Sequence, residues 1–203
     1  MLNAPFRTLT SRTALLLQDN VDTDQIIPAR FLKGTSRDGL GRHLFADWRR
    51  DAAGQPRPEF ALNRPDARGA QVLVAGRNFG SGSSREHAVW ALRDHGFRAV
   101  VALSFADIFR SNALKNAVVP VQVGPEVHAR LVKADGGEVT VDLMSRSITL
   151  PDGTSSSFPI EPFSRHCLIE GLDELAYLIA QEADIAAYER RNPDSLGGAT
   201  DDV

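Results

Sequence analysis

Residues 72–95 constrain this chain more than any other stretch. An apolar run, Val72-Leu73-Val74-Ala75, is followed by Gly76-Arg77-Asn78-Phe79-Gly80-Ser81-Gly82-Ser83-Ser84-Arg85-Glu86-His87. Ala88, Val89, Ala91 and Leu92 then recur at helical spacing, and Gly96 follows. The order reads as a buried strand, a glycine-punctuated turn and an amphipathic helix with a glycine stop. Such junctions build α/β folds, and they point backbone N–H groups and a positive dipole end at one place. An anion is therefore welcome there. This junction adds two hydroxyls and a guanidinium, from Ser83, Ser84 and Arg85.

The familiar phosphate motifs do not fit. A dinucleotide fingerprint needs a third glycine where Arg85 stands, and a P-loop needs a second glycine where Ser81 stands. A nucleophile elbow needs a closing glycine that the serine pair lacks. A purely local reading remains: Ser83 and Glu86, three apart, form a capping box that opens the helix at about residue 84. That reading leaves the glycine spacing, the second serine and Arg85 unexplained, since a cation at a helix N-terminus is disfavoured unless an anion joins it.

Around this junction, strands and helices alternate. Strands are predicted near 12–17, 71–75, 98–103, 118–123, 138–143 and 147–150, and helices near 84–95, 106–115, 125–134, 162–169 and 172–190. The last two strands read as a hairpin, so the sheet is mixed and the class is α/β with flanking helices. We expect a single domain over 1–190. An irregular insertion at 34–70, rich in glycine and proline, carries one short helix near 40–48, and a polar tail at 191–203 reads as disordered. Within the insertion, Arg42, Arg49, Arg50 and Arg57 read as a solvated basic face and Trp48 as an interface anchor. The formal charge of −3 argues against a nucleic-acid surface. No apolar run approaches the ~18 residues of a membrane span, and residues 1–11 lack a signal-peptide core. One cysteine, Cys167, excludes an internal disulfide and suits a reducing, cytoplasmic setting. It reads as a small buried side chain.

A second polar segment, Asp22-Thr23-Asp24, follows the apolar run Ala14-Leu15-Leu16-Leu17. Taken locally it caps a turn, and it lacks the later ligands of a calcium loop. Lys33 after Phe31 and Leu32 reads locally as a solvated loop lysine.

Together these segments resemble the aconitase superfamily, and within it the small subunits of 3-isopropylmalate dehydratases. The resemblance rests on Asn20 to Pro28 with Phe31-Leu32-Lys33, on Gly39-Leu40-Gly41-Arg42-His43-Leu44-Phe45 with Trp48-Arg49, and on Gly76 to Ala88. Ser104 to Phe109 with Asn112, and His166-Cys167-Leu168 with Gly171-Leu172-Asp173, extend it over most of residues 5–180. Ser81 departs from it, standing where many bacterial members carry cysteine.

The resemblance implies the swivelling β/β/α domain and a hydro-lyase that converts 2-isopropylmalate to 3-isopropylmalate through 2-isopropylmaleate in leucine biosynthesis. It implies Ser83 as the base, acting as an alkoxide, and Arg85 as the grip on a substrate carboxylate. Asp24 would be catalytic too, and Thr23 and Ser84 would bind substrate. Phe31, Leu32 and Lys33 would form the loop that selects the substituent on the malate backbone, and the apolar pair suits an isopropyl group. Homoaconitate, citramalate and dimethylmalate hydro-lyases share this chemistry. A non-catalytic anion-binding scaffold is the reading from a different class.

Expelling hydroxide needs a Lewis acid. A single cysteine cannot ligate the iron–sulfur cluster that aconitase-type enzymes use, and the five histidines show no metal spacing. The resemblance therefore implies no cofactor on this chain. It implies a four-iron four-sulfur cluster on a large subunit with which the chain forms a heterodimer or larger assembly.

Overall fold

A computed structural model describes residues 4–32 and 37–192. Lys33, Gly34 and the tail beyond Asn192 lie outside the described residues. Seven strands form one sheet in the order β4-β3-β2-β1-β5-β6-β7. Strands β1 (Thr8–Leu16), β2 (Val72–Ala75), β3 (Ala99–Ala102) and β4 (Val119–Gln122) run parallel. Strands β5 (Glu138–Asp142), β6 (Ser147–Thr149) and β7 (Ser155–Ser157) complete the sheet antiparallel. The mixed sheet and the 138–150 hairpin match the sequence reading.

Strand β1 is the seam. Its first half, Thr8 to Arg12, pairs antiparallel with β5, and its second half, Thr13 to Leu16, pairs parallel with β2. The sequence reading began this strand at residue 12, because Thr8, Thr10 and Arg12 are polar and exposed on its outer face. The edge strand β7 was missed altogether. It consists of three serines, with low strand propensity and one neighbour.

The parallel strands are apolar without alternation because both faces are covered. Leu73, Ala75, Val100 and Ala102 enter one core with α3 (Glu86–His95) and α4 (Asp107–Lys115). Val72, Val74, Val101, Val119 and Val121 enter the other, beneath Leu131 of α5 (Pro125–Lys133) and Leu168 of α6 (Pro162–Glu170). The helix ends obey local rules. Glu161 caps α6 through two backbone N–H groups, with Pro162 in its first turn and Gly171 left-handed at its end. The expected helix at 172–190 is two helices, α7 (Glu174–Ala180) and α8 (Glu182–Arg191), meeting at Gln181.

The insertion contains 3₁₀ turns at Gly41–His43, Ala61–Asn63 and Pro65–Ala67 and the four-residue helix α2 (Ala46–Arg49). Its arginines act as staples. Arg49 donates from Nε to Asn63 Oδ1 at 3.2 Å, Arg50 to the Gly54 carbonyl and Arg57 to the Arg50 carbonyl. Trp48, half-buried, stacks on Phe45 at 5.8 Å and tilts against Phe60. Among the described residues, no helix is long and apolar enough to cross a membrane.

Two histidines here give the stability a pH dependence. Burial, followed by the charges of Arg42, Arg50 and Arg30, holds His43 below the ordinary imidazole value of 6.5. Burial and Arg49 do the same for His95, against opposing effects of the Gly41 backbone and Asp94. The folded chain then binds fewer protons than the unfolded one just below that value. Stability is complete above about pH 6.5 and is lost as pH falls through the depressed folded values. Urea midpoints should drop between pH 7.5 and 5.5, and the drop should shrink in His43→Asn and His95→Asn.

Candidate active site

The site forms where the carboxyl ends of β1, β2 and β3 hand over to loops. Three backbone bonds lace the first two loops together: Gly80 N–H to the Val21 carbonyl at 2.8 Å, Thr23 N–H to Ser81 at 2.9 Å, and Asn20 N–H to Arg77 at 2.8 Å. Phe79 adds the third loop, donating to the Ser104 carbonyl at 3.0 Å and accepting from Ala106 N–H at 3.0 Å. Asn20 and Asn78, at φ 55° and 54°, face each other, Asn78 Nδ2 donating a hydrogen bond to Asn20 Oδ1 at 2.9 Å.

Two glycines make this lacing possible. Gly82, at φ +86°, passes beside Asp22 and Thr23. Gly80, at φ +79°, lies so close to Phe109 that a Cβ would sit 2.1 Å from the ring. The glycine spacing is thus a demand of backbone and packing. Gly80→Ala should destabilise the fold by at least about 1–3 kcal/mol from backbone strain alone, visible as a lower urea midpoint at constant slope.

Side chains complete the junction. Thr23, itself buried, donates from Oγ1 to the Ser83 carbonyl at 3.0 Å. Arg85 pairs with Asp24 through Nη1 and Oδ1. The two segments singled out from sequence are therefore one constellation, with Thr23, Asp24, Ser83, Ser84 and Arg85 side by side. The Arg85 side chain is 23 % exposed and Asp24 52 % exposed, so the pair faces solvent. Asp22 caps the short helix α1 (Thr23–Ile26), accepting from Gln25 N–H at 2.8 Å while Gln25 accepts from Asp22 N–H at 3.0 Å. The local capping reading of this segment thus holds for Asp22, and Asp24 is left to meet Arg85.

The expected Ser83–Glu86 capping box does not form. Helix α3 starts at Glu86, with Arg85 at the capping position and no side-chain cap bond. Glu86 instead accepts from Asn116 Nδ2 at 2.9 Å, and Asn116 Oδ1 in turn accepts from Trp90 Nε1. The glycine-rich turn holds Ser83 two residues ahead of the capping residue Arg85, out of capping position. Among the described residues, the hydroxyls of exposed Ser83 and Ser84 carry no hydrogen bond. An uncapped helix N-terminus, an uncommitted hydroxyl and a guanidinium thus share one solvent-facing spot. That spot can hold a carboxylate and stabilise a negative oxygen.

Phe31 and Leu32 lie a few residues beyond Asp24, at the 3₁₀ turn Ala29–Phe31. Both are half-buried and pack on the core that includes Leu40 and Leu44. The Phe31 ring stacks on His43 at 3.9 Å and 11°, with the Arg30 guanidinium 4.5 Å from its centre. His43 was not a candidate from sequence, and its only signal was membership of the Gly39–Phe45 segment. Neither Phe31 nor Leu32 makes a ring contact or hydrogen bond with residues 83–85, and Lys33 lies outside the described residues. Cys167 is buried, and burial pushes its thiol up. Among the described residues no cluster of three His, Cys, Asp or Glu side chains could hold a metal ion.

Comparison with known proteins agrees with this architecture. Residues 3–126 match the aconitase C-terminal domain family. The 3-isopropylmalate dehydratase small subunit of Anaeromyxobacter dehalogenans is 60% identical over 185 residues, covering 91% of this chain and 97% of that one. This chain belongs to the 3-isopropylmalate dehydratase small-subunit family. A member from Roseiflexus castenholzii is 52% identical over 193 residues, covering 93% and 95%. The crystal structure of a 3-isopropylmalate dehydratase chain from Methanocaldococcus jannaschii aligns with a TM-score of 0.66 at 30% identity, covering 89% of this chain and 99% of that one. The family spans both the parallel half of the sheet and the antiparallel half that lies beyond residue 126.

Proposed function

We propose that this chain is the proton-handling half of a 3-isopropylmalate dehydratase, and that residues 1–190 act as one swivelling domain. Ser83 takes the proton from the carbon alpha to a carboxylate of 2-isopropylmalate, hydroxide leaves the neighbouring carbon, and 2-isopropylmaleate forms. Addition of water in the opposite sense gives 3-isopropylmalate. A serine hydroxyl is a weak base, so its alkoxide needs stabilisation. The helix N-terminus and Arg85 supply it. Arg85 also grips a substrate carboxylate. Asp24 occupies only Nη1, so the remaining edge of the fork is open to a second partner. Thr23 fixes the Ser83 backbone, and Ser84 offers a further hydroxyl to the substrate. Phe31 and Leu32 would border the isopropyl group.

The observation that carries this reading is the Asp24–Arg85 pair beside an uncommitted Ser83 hydroxyl. The donor set of this chain does not fit an iron–sulfur cluster, since one buried thiol is all it offers. A four-iron four-sulfur cluster on the large subunit would supply the Lewis acid that accepts the leaving hydroxide. The two chains would then form the active site between them, in the cytoplasm.

The test is reconstitution. Pure small chain should not turn over 2-isopropylmalate, anaerobic addition of the large subunit should restore turnover, and air should remove it again. Robust hydratase activity from the small chain alone would refute the two-chain reading.

A further inference from the structure

The large exposed apolar side chains are concentrated on the last two helices. Leu175, Leu178, Ile179, Ile185 and Tyr188 are 66 %, 55 %, 61 %, 42 % and 57 % exposed. Leu175, Leu178 and Ile179 share one face of α7 by their spacing of three and four, and Ile185 and Tyr188 share one face of α8. Neither helix buries a single residue. Helices of seven and ten residues are marginal in water by propensity alone and depend on burying an apolar face. The opposite side of α7 is already anchored. Tyr177 meets Phe163 edge-on at 4.9 Å and His166 at 5.8 Å. The inner side is therefore docked on α6, and the outer apolar stripe has no cover within the described chain.

We propose that the α7–α8 stripe is the docking surface for the large subunit. The proposal rests on the two-chain reading above and names the surface that reading requires. A stable interface buries about 800 Å² per partner, far more than the mouth of one anion site provides. Contact around Ser83 must therefore extend over neighbouring surface. The route to α7 is continuous. Glu86, the residue after Arg85, lines a cavity of about 300 Å³ whose other wall is Phe163, Leu172 and Leu175, the last being the first residue of the stripe. A partner seated over Arg85 reaches α7 across that cavity. The rim carries both signs, since Lys115 pairs with Glu174 at 3.3 Å, Glu182 and Asp184 open α8 and Arg190 and Arg191 close it, so the apolar side chains are what a partner would cover.

The experiment separates docking from chemistry. Amide hydrogen exchange of the full wild-type chain should show residues 174–191 exchanging quickly alone and becoming protected at least tenfold when the large subunit is added. Ile179→Glu with Tyr188→Glu should leave the melting temperature unchanged, since both side chains are exposed. It should raise the small-chain concentration for half-maximal turnover by tenfold or more, at unchanged maximal rate. Should that variant misfold, Leu178→Ser with Ile185→Ser provides the same reading. Unchanged exchange at 174–191 in the complex, or an unchanged half-maximal concentration, would overturn the proposal. So would a wild-type homodimer that the variant breaks while large-subunit titration stays normal. Failure of the two-chain reading looks different, because the small chain would then turn over 2-isopropylmalate without the large subunit, whatever the exchange at 174–191.

Discussion

Ser83→Ala should abolish turnover in the reconstituted enzyme while leaving the chain as stable as before. Removing a positioned base typically costs about 10²–10⁴-fold in rate. The loss should fall on kcat with KM little changed, because the base acts in the transition state. The stability half of this expectation is specific to the geometry. A capping serine would cost about 0.5–2 kcal/mol on truncation. Ser83 does not cap α3, and its exposed hydroxyl holds no bond, so the change should stay within about 0.5 kcal/mol. Steady-state kinetics and a thermal melt on the same preparation check both halves. A lower melting temperature with near wild-type rates would return Ser83 to a structural role.

Arg85→Lys is the second large effect. The guanidinium engages Asp24 on one side and presents a planar edge on the other. An ammonium can keep one of these contacts but not both in fixed geometry. Hydrogen bonds to charged groups are worth about 1.5–3 kcal/mol, so kcat/KM should fall about tenfold to hundredfold. Folding should be nearly indifferent, since exposed ion pairs contribute about 0–1 kcal/mol. Asp24→Asn should act in the same direction more weakly, by loosening Arg85 without removing its fork. Isothermal titration with 2-isopropylmalate and the complete enzyme separates lost binding from lost rate.

Much of this was legible in the sequence, and the physical reasons differ from element to element. The parallel strands β2 and β3 are apolar at every position because both faces are buried, so the pattern carries them without ambiguity. Strand β7 carries no such signal, since an edge of three serines is defined by its partner and not by its own residues. The segments holding Asp24 and Ser83 stood out separately. Their union depends on Thr23 reaching Ser83 and Asp24 reaching Arg85, 60 and 61 residues apart in sequence, which local pattern cannot express.

The Ser83–Glu86 spacing is the instructive error. It satisfies the capping-box pattern, yet tertiary structure overrides it. Asn116, near the end of α4, takes Glu86 away, and positive-φ glycines turn Ser83 outwards. Ser83 therefore does not cap α3, and its hydroxyl stays uncommitted. His43 went unnoticed for the opposite reason. Its stack on Phe31 joins two loops that have no shared periodicity. The sequence reading placed one helix over 172–190, and the structure adds that nothing among the described residues covers the exposed apolar side chains of α7 and α8.

One titration tests the central claim most directly. A fixed amount of oxygen-protected large subunit is held with wild-type small chain at equivalence, and Ser83→Ala chain is added in increasing excess while 2-isopropylmalate turnover is followed. If Ser83 is the base that this chain delivers to a shared site, the variant docks normally, displaces wild type and drives the rate towards zero in proportion to its share. A rate that stays level because the variant supports turnover itself would contradict the account.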